Sequence, residues 1–352
     1  MRYCGIDVGT RTSSICIIDE QGKVVCQWSC LTSMIAETLA EKLAGYGAGV
    51  KCIIEASPLA EHVCRQVEAI GVKIEIVDSR HTKAILQGKK KTDKVDARVL
   101  AELCKIGWYR SIHRKSGPDR EKRTILNGRA ALVKTATMLK NTIRGLLKAN
   151  GLVLPARCEG AQFVAEVRAK IEKLTPDVQE IFKLLLESWN GAYTAQLKEY
   201  KKLGRIARKE PTARRLMTTP GVGPATALAF VSTVSSPGRF KSAKQVASYV
   251  GLAPRVHQSG STEFNGRITK QGDKLLRWLL IESAGALLTR VKGSTPLKEW
   301  GLRLAERKGL AKAKVAVARR LCLLLFALWK NECDYRAPVG APEVTEALAL
   351  AA

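Results

Sequence analysis

Two aspartates, Asp93 and Asp96, stand three residues apart at the start of a predicted helix, so both side chains point to one helix face. Asp7 and Glu55 each end an apolar segment rich in β-branched residues, which places them at the tips of two predicted strands. Open sheets usually carry their functional groups at such strand ends. If the helix packs beside the strand ends, four carboxylates converge, and such a cluster stays ionised only beside divalent cations.

Carboxylate oxygens are hard ligands, so a site of this composition suits Mg²⁺ or Mn²⁺. Two such ions about 4 Å apart would activate the attacking oxygen and stabilise the leaving oxygen in phosphodiester cleavage. In this arrangement Asp7 can bridge both ions, while Glu55, Asp93 and Asp96 complete their coordination. The acids therefore predict a metal-dependent site for phosphodiester chemistry.

Two other interpretations of these acids stay open. Asp93 could cap the helix N-terminus while Asp96 favours the positive end of the helix dipole, with no catalytic role for either. The turn Gly5-Ile-Asp-Val-Gly-Thr10 is also similar to the first phosphate turn of actin-like ATPases and sugar kinases. Those enzymes need a second Gly-rich phosphate turn and an adenosine pocket, whereas this chain continues as a basic, helical sequence.

The basic residues are distributed unevenly along the chain. There are 59 Lys and Arg against 32 Asp and Glu, a net charge of +27, of which residues 1–100 contribute +2 and residues 101–352 contribute +25. Such an excess predicts a polyanionic partner, most simply nucleic acid, although a solvated basic surface would have the same composition. Lys89, Lys90 and Lys91 directly precede the aspartate pair and would hold a nucleic-acid backbone beside the metal ions.

The ten cysteines include no CxxC pair and no spacing typical of a zinc site, and most lie in apolar runs. Reduced thiols in a cytoplasmic protein are therefore expected. The N-terminal residues show no signal peptide, and the longest apolar run, 321–329, is too short to span a bilayer. The sequence predicts a soluble intracellular protein.

The elements that would position the acids alternate in type along the first hundred or so residues. Three β-rich segments separated by turn signals are followed by alternating helices and strands, in the order β-β-β-α-β-α-β-α. This order predicts an α/β domain, a mixed sheet with helices on its faces. The predicted strands are 2–8, 12–18, 24–31, 50–55 and 72–78, and the predicted helices are 33–46, 58–70, 79–86 and 93–106.

The rest of the chain is predicted to be mostly helical. Segments 120–149 and 178–209 alternate apolar and basic positions and could form an extended arm, a coiled coil or a helical linker domain. Near residue 211, two apolar helices are joined by Pro220-Gly-Val-Gly223, either a phosphate-binding helix-hairpin-helix turn or an ordinary tight turn. Residues 249–263 are predicted to form a polar loop, before helices at 271–291, 296–308 and 310–330.

Several short motifs, taken in order along the chain, resemble one family of enzymes. They are Gly5-Ile-Asp-Val-Gly9, Ile53-Ile-Glu-Ala56, Lys91-Thr-Asp-Lys-Val-Asp-Ala-Arg98, Pro220-Gly-Val-Gly223, Gly251-Leu-Ala-Pro-Arg255 and Gln258-Ser-Gly-Ser261. Together they are similar to motifs of the DEDD-type transposases of insertion-sequence family 110 and its 1111 subgroup, also called bridge recombinases. The resemblance covers most of the chain and implies a site-specific DNA transposase or recombinase.

The resemblance implies four regions. Residues 1–110 would form a RuvC-like catalytic domain with an RNase H fold, which agrees with the predicted order of strands. Residues 111–210 would be a helical linker or coiled coil that mediates dimerisation. Residues 211–335 would form a mostly helical C-terminal transposase domain with a helix-hairpin-helix-like turn, and residues 336–352 a flexible tail.

The resemblance also implies roles for single residues. The four metal-binding acids would be Asp7, Glu55, Asp93 and Asp96. Ser259 would be the nucleophile that forms a phosphoserine link to DNA, although a Ser in this setting is by itself typical of a turn, and Ser261 and Thr262 are neighbouring hydroxyls. Because serine and acids lie in different domains, the implied site is composite, with the acids from one subunit and the serine from its partner.

The implied partners are donor DNA, target DNA, a structured guide RNA and further copies of the chain, as a dimer or a pair of dimers. The implied cofactor is Mg²⁺ or Mn²⁺, and the implied location is the bacterial cytoplasm, on the nucleoid during the reaction. Phosphate contacts are expected from basic residues that flank the serine, namely Arg255, Arg267, Lys270, Lys274 and Arg277.

Two other functions use the same features differently. A RuvC-like nuclease that cuts DNA junctions would use the acids to activate water and leave Ser259 idle. A nuclease-dead nucleic-acid-binding protein would use the basic surface alone. A covalent adduct between protein and DNA would distinguish the recombinase from both.

Overall fold

The computed structural model describes residues 1–44, 49–78, 92–259 and 262–336, and for residues 256–259 and 262–265 it describes the backbone alone. The chain divides into two units, Met1–Arg114 and Lys115–Ala352. The finer predicted boundaries, at residues 210 and 335, stay predictions.

The N-terminal unit is built on a five-stranded mixed sheet. Its strands are β1 (Arg2–Val8), β2 (Thr12–Ile18), β3 (Val24–Leu31), β4 (Val50–Glu55) and β5 (Lys73–Val77). Their spatial order is β3-β2-β1-β4-β5, with β1 antiparallel to β2 and parallel to β4. The prediction is confirmed for the first four strands, because β-branched residues favour extended structure and turn residues separate the segments. The fifth strand is one residue shorter at each end than predicted.

Among the described residues of this unit, three helices cover the two faces of the sheet. They are α1 (Ile35–Leu43), α2 (Ala60–Ala69) and α3 (Asp93–Ile106). On one face α1 and α2 bury Cys4, Ile6 and Ile54, and on the other face α3 packs on Ile53 and Cys16. The predicted bounds of α3 are confirmed, whereas α1 and α2 are shorter than predicted and the predicted helix 79–86 lies outside the described residues.

Glycine at position 5 allows α3 to lie directly against β1. A Cβ atom added at Gly5 would lie 2.1 Å from the Ala97 carbonyl oxygen and 2.4 Å from the Ala101 amide nitrogen. Because backbone atoms cannot move aside as a side chain can, a larger residue at this position would push the helix off the sheet. This contact therefore determines how α3 is placed relative to the ends of the strands.

The C-terminal unit is mostly helical in its described part. Its helices are α4 (Gly117–Ala149), α5 (Gly160–Ile171), α6 (Pro176–Lys209), α7 (Pro211–Leu216), α8 (Pro224–Val234), α9 (Ala243–Val250), α10 (Lys274–Thr289), α11 (Pro296–Lys308) and α12 (Leu310–Lys330). The long helices α4 and α6 pack on each other and on α5 around Ile143, Phe163 and Trp189, all buried. They thus pair within one chain, and a role in dimerisation stays a prediction.

A second core lies around α8, which is buried along its whole length and packs with α10 and α12. Next to this core, the prediction that residues 249–263 form a polar loop is wrong. The chain there completes α9 and then forms a two-stranded antiparallel hairpin from β6 (Pro254–Ser259) and β7 (Thr262–Ile268). This stretch has many polar residues and few β-branched ones, which favours a loop over a strand in a sequence-based prediction.

All ten cysteines carry free thiols, as the sequence predicts. Burial raises the pKa of Cys16 to about 11 and those of Cys64 and Cys104 to about 12, so these thiols stay protonated at neutral pH. Within the described ranges, none of the helices has the length and apolar character needed to cross a bilayer.

Candidate active site

The first two acids stand side by side at one edge of the sheet. The last register pair of β1 and β4 is Ile6 with Ile54, so Asp7 and Glu55 occupy the next position on two parallel neighbouring strands. Adjacent strands lie about 4.8 Å apart, and side chains at matching positions project to the same face. That face is the one that α3 covers, and both acids are half-buried there.

Helix α3 runs antiparallel to β1. The Cys104 thiol, near the end of the helix, donates to the Lys51 carbonyl oxygen at 3.3 Å, near the start of β4. Ala97, two turns earlier, lies over Gly5, further along β1. Moving along α3 toward its N-terminus therefore means moving toward the carboxyl ends of β1 and β4.

This direction brings the first turn of α3 to the edge that carries the other two acids. The backbone from Ala97 back to Asp93 rises about 6 Å, close to the roughly 7 Å that separate Gly5 from Asp7 along the strand. By this measure Asp93 lies level with Asp7 at one edge of the sheet, and Asp96 lies between the levels of Gly5 and Asp7. The four acids come from three elements that meet only in the folded chain.

The interpretation of Asp93 as the helix cap is wrong. Thr92 is the cap, because it has an extended backbone with φ −140° and ψ 147° and its hydroxyl accepts a hydrogen bond from the Val95 amide at 3.3 Å. Asp93 is the first helical residue and is exposed to solvent. Its carboxylate is therefore not used for capping.

Asp96 carries a buried carboxylate oxygen without a hydrogen bond. Its side chain is half-buried, yet within the described part of the chain no donor reaches Oδ1. An unsatisfied buried acceptor costs about 1–3 kcal/mol, and more when it is charged. A divalent cation is the kind of partner that would satisfy this oxygen, so the acids at this edge fit a metal ion by donor type.

The four acids share an edge without forming a closed ligand cluster. Among the residues that the structure describes, no three His, Cys, Asp or Glu side chains are grouped closely enough to hold a metal ion. Asp7 and Glu55 also take part in interactions within the protein. The backbone thus places these acids at one edge of the sheet, and their side chains would have to rotate before they could bind the same ion.

The predicted nucleophile lies at the end of the hairpin in the C-terminal unit. Ser259 is the last residue of β6 and is in register with Thr262, the first residue of β7. Ser261 lies outside the described residues. The backbone of Ser259 therefore stands at the end of the hairpin where the two strands are connected.

Comparisons with known proteins agree with these observations. A DEDD transposase model of the IS110 type matches residues 4–150, and the model of the Transposase IS116/IS110/IS902 family matches residues 213–298. The transposase for insertion sequence element IS1111A of Coxiella burnetii is 30% identical over 343 residues, which are 96% of this chain and 92% of that protein. The chain belongs to the IS110-type family of DEDD transposases.

Two further relatives extend this result. A probable family 20 transposase of Pseudomonas aeruginosa is 25% identical over 94% of this transposase and 98% of its own length. The pilin gene-inverting protein of Moraxella bovis is 34% identical over 33% of this chain and 36% of its own. Transposases bind DNA and cleave it, so the chain is a DNA-cleaving enzyme of the transposase and recombinase class.

Most of the predicted phosphate contacts of the transposase lie on the surface. Arg255, Arg267, Lys270 and Lys274 are exposed, the first two on the paired strands β6 and β7. Lys89, Lys90 and Lys91 lie outside the described residues.

Arg277 is the exception among the predicted phosphate contacts. It is only 8% exposed, and its Nη1 donates to the Val250 carbonyl oxygen at 2.9 Å and to the Gln271 carbonyl oxygen at 3.4 Å. Burial lowers the pKa of its guanidinium. Arg277 therefore binds the protein's own backbone and is not part of the proposed nucleic-acid surface.

Sequence reasoning missed two serines beside the acids. Ser14 is in register with Asp7 on one side and with Ser29 on the other, which continues the row of polar residues across the sheet. Ser14 is 4% exposed, and its Oγ lies 2.9 Å from that of Ser29. The signal was present in Thr12-Ser13-Ser14, three hydroxyl residues at the start of a strand that continues with apolar residues.

The Pro220–Gly223 turn has a packing role that is visible in the structure. Gly221 has φ +85°, and a Cβ atom added there would lie 2.7 Å from the Ser283 carbonyl oxygen of α10. Only glycine fits this combination of backbone conformation and close approach. A role of the same turn in binding phosphate stays a prediction.

Proposed function

We propose that the chain is a site-specific DNA recombinase that cleaves and rejoins strands through Ser259, assisted by a divalent metal ion at Asp7, Glu55, Asp93 and Asp96. Family membership supports the transposase activity, and the common sheet edge of the four acids supports their joint role. The observation that carries the metal site is the buried Oδ1 of Asp96, a carboxylate oxygen without a donor among the described residues. The N-terminal unit would then be a RuvC-like domain.

The DEDD family to which the chain belongs uses divalent metal ions. Mg²⁺ is our specific proposal, with Mn²⁺ as a substitute, because the donors are all carboxylate oxygens. When bound, the ion supplies positive charge that polarises the scissile phosphate and favours the serine alkoxide.

In the proposed reaction, Ser259 Oγ loses its proton and attacks the phosphorus. The bond from phosphorus to one deoxyribose oxygen breaks, and that oxygen leaves as a hydroxyl after taking up a proton. The phosphoserine ester keeps the energy of the phosphodiester, so the hydroxyl of a different strand can attack it and release the serine. Strand exchange in this scheme needs no nucleotide cofactor.

Rejoining is supported by the relatives that carry the name pilin gene-inverting protein. Inversion of a DNA segment requires that every cut end is joined again, which a covalent intermediate makes possible. A nuclease with metal-activated water would leave free ends instead.

The proposed partners are donor and target DNA, a structured guide RNA and further copies of the chain. A net charge of +25 over residues 101–352 supports contact with several nucleic-acid backbones. Base pairing would then read the sequence, while exposed residues such as Arg255 and Arg267 hold phosphates. The serine of one subunit would act with the acids of its partner.

The proposal is tested by denaturing lysis of cells that carry the gene with its native flanking DNA. The wild-type chain is expected to carry covalently attached DNA at the peptide around Ser259, and both Ser259→Ala and Asp7→Asn should lose it. Ser261→Ala is the matched control and should keep the adduct. Cleaved DNA without an adduct, still produced by Ser259→Ala but lost with Asp7→Asn, would establish the water-using nuclease instead.

A further inference from the structure

We infer that Arg277 is a positioning residue for Ser259, acting through the base of the β6–β7 hairpin. This inference rests on the proposed function, in which Ser259 is the nucleophile. It concerns how the serine is held, and it assigns a role to a buried cation that contacts neither metal nor substrate.

The guanidinium of Arg277 joins the two chain segments that enter and leave the hairpin. Val250 ends α9 just before the hairpin, and Gln271 follows just after β7. Nη1 of Arg277 donates to the carbonyl oxygens of both residues, at 2.9 Å and 3.4 Å. One rigid side chain of α10 therefore holds both ends of the ribbon.

Two glycines bring these segments unusually close together. A Cβ atom added at Gly251 would lie 1.9 Å from the Gln271 carbonyl oxygen, and one added at Gly272 would lie 1.9 Å from the Tyr249 carbonyl oxygen. Both glycines also have positive φ, of +80° and +91°. The contact is reciprocal and backbone to backbone, so it needs glycine on both sides.

Backbone hydrogen bonds continue from this contact into the hairpin. The Lys270 amide donates to the Gly251 carbonyl oxygen at 3.1 Å, and the Thr269 amide donates to the Ala253 carbonyl oxygen at 2.9 Å. Together with Arg277 and the glycine pair, these bonds form what we call the hairpin base. The hairpin base is the part of the ribbon that is tied to the helical body.

The hairpin base is connected to more distant helices through Asp273. Its Oδ1 accepts a hydrogen bond from the Leu276 amide at 2.7 Å and so caps α10, while its Oδ2 is paired with the Arg123 guanidinium of α4. Arg123 also donates to the Thr233 hydroxyl at 2.9 Å, at the end of α8. Helices α4 and α8 thus fix the start of α10, from which Arg277 projects.

The geometry explains why the hairpin base would matter for a distant serine. Strand β6 is six residues long, which corresponds to about 20 Å. A tilt of roughly 6° at the hairpin base would move its far end by about 2 Å, and misplacing a reacting group by about 1 Å can cost about 100-fold in rate. A small loosening at the hairpin base therefore produces a large loss at Ser259.

Arginine suits this position better than lysine. Its planar guanidinium presents several N–H groups in fixed directions, whereas a lysine ammonium is a single mobile point charge. Arg277→Lys keeps the charge and loses the rigid bridge between the two carbonyl oxygens. This substitution separates positioning from electrostatic attraction of DNA.

The test compares Arg277→Lys, Arg277→Gln and the wild type in the full chain, using purified protein, its guide RNA and DNA with the native element ends. Three quantities are measured: the dissociation constant for DNA, the single-turnover rate of covalent adduct formation, and the hydrogen exchange of the Thr269 and Lys270 amides. Arg290→Lys is the matched control, since it makes the same substitution at an exposed arginine directly after the end of the same helix.

For Arg277→Lys we expect DNA binding within about twofold of wild type, an adduct rate lowered by at least about 30-fold, and at least about tenfold faster exchange of the two amides. Arg290→Lys should leave amide exchange and adduct rate unchanged. Arg277→Gln should show the same pattern more strongly; if it does not fold, Arg277→Lys alone decides the question.

Two outcomes would overturn the inference. Equal losses in binding and rate, with unchanged amide exchange, would make Arg277 a phosphate contact. Unchanged rate and exchange would leave it without a positioning role. If the wild type itself cleaves DNA without forming an adduct, the proposed function fails, whereas the amide exchange still reports whether Arg277 holds the hairpin base.

Discussion

The two units of the molecule hold their proposed reactive groups in different ways. Asp7 stands at the end of β1, which pairs with β2 on one side and β4 on the other, in a sheet with helices on both faces. Ser259 stands at the end of β6, whose strand partner in the described chain is β7 alone. A two-stranded ribbon is marginally stable by itself. The acids are therefore positioned by a core, and the serine by a few groups at the hairpin base.

This difference separates two ways of losing activity. A substitution in the core of the N-terminal unit displaces the acids by destabilising the fold that carries them. A substitution at the hairpin base displaces the serine while the helical core around α8 stays intact. Stability and activity should therefore change together in the first unit and independently in the second.

The largest expected effect tests the acids themselves. Asp96→Asn keeps the shape of the side chain but removes its charge, so we expect DNA cleavage to fall by about 10³-fold, the scale of losing one strong electrostatic contact. Thermal unfolding with and without Mg²⁺ should show that the rise in Tm caused by the metal is reduced or lost. Glu37→Gln, on the exposed side of α1, is the control. A full metal-induced rise in Asp96→Asn would argue against a metal at this edge.

The next effect tests the packing that positions the acids. Gly5→Ala places a Cβ atom 2.1 Å from the Ala97 carbonyl oxygen, and we expect the N-terminal unit to lose about 3 kcal/mol of stability. Gly128→Ala is the matched control, because it lies in α4 with open space around it and should gain about 0.5–1 kcal/mol. Urea unfolding measures both. Equal urea concentrations at the unfolding midpoint for Gly5→Ala and wild type would show that α3 can shift without a loss of stability.

Alkaline pH should destabilise the N-terminal unit first. The pKa values of Cys16, Cys64 and Cys104 are raised by burial to about 11, 12 and 12, against 9.0 for an exposed thiol. Above pH 9.0 the unfolded chain has lost these protons while the folded chain keeps them, so the free energy of unfolding falls as pH rises. Each thiol lowers the free energy of unfolding by at most about 1.4 kcal/mol per pH unit.

In the C-terminal unit, two buried groups change the free energy of unfolding in opposite directions as the pH rises. Burial lowers the pKa of Lys115 from 10.5 to about 8, which adds stability as pH rises between these values, while the pKa of Cys322, raised to about 12, removes stability above pH 9.0. Pulse proteolysis with mass spectrometry, in reductant at about pH 8.5 and about pH 10, can follow the two units separately. Cys333→Ser, an exposed thiol, is the control. Equal losses of stability in both units at the higher pH would contradict the expectation that the N-terminal unit is destabilised first.

The smallest effect concerns the surface of the hairpin. Arg267→Gln removes an exposed charge, so we expect weaker DNA binding at all sequences and a salt dependence whose slope falls by about 1. Binding titrations at several salt concentrations measure this slope. An unchanged slope would mean that Arg267 makes no phosphate contact.

Local features of this chain were predictable from the sequence because they depend on neighbouring residues. The segments of β1 to β4 are rich in β-branched residues and end at turn residues, and their predicted bounds are confirmed. Helix α3 was predictable for the same reason, since Thr92 caps its start and Gly107, with φ +68°, ends it. The six short motifs from Gly5 to Ser261, taken in their order along the chain, also sufficed to indicate the family.

Tertiary structure alone decided which of these residues meet and which face the solvent. Gly5 lets α3 rest on the sheet, and only that packing brings the first turn of α3 to the sheet edge that carries Asp7. Arg277 follows a basic, polar stretch and carries the charge that a phosphate contact needs, yet it is buried and donates to the backbone of Val250 and Gln271. Helix and strand patterns depend on residues a few positions apart, whereas burial depends on packing between residues far apart in the chain. That is why the sequence indicates which groups could react and only the fold shows how each one is held.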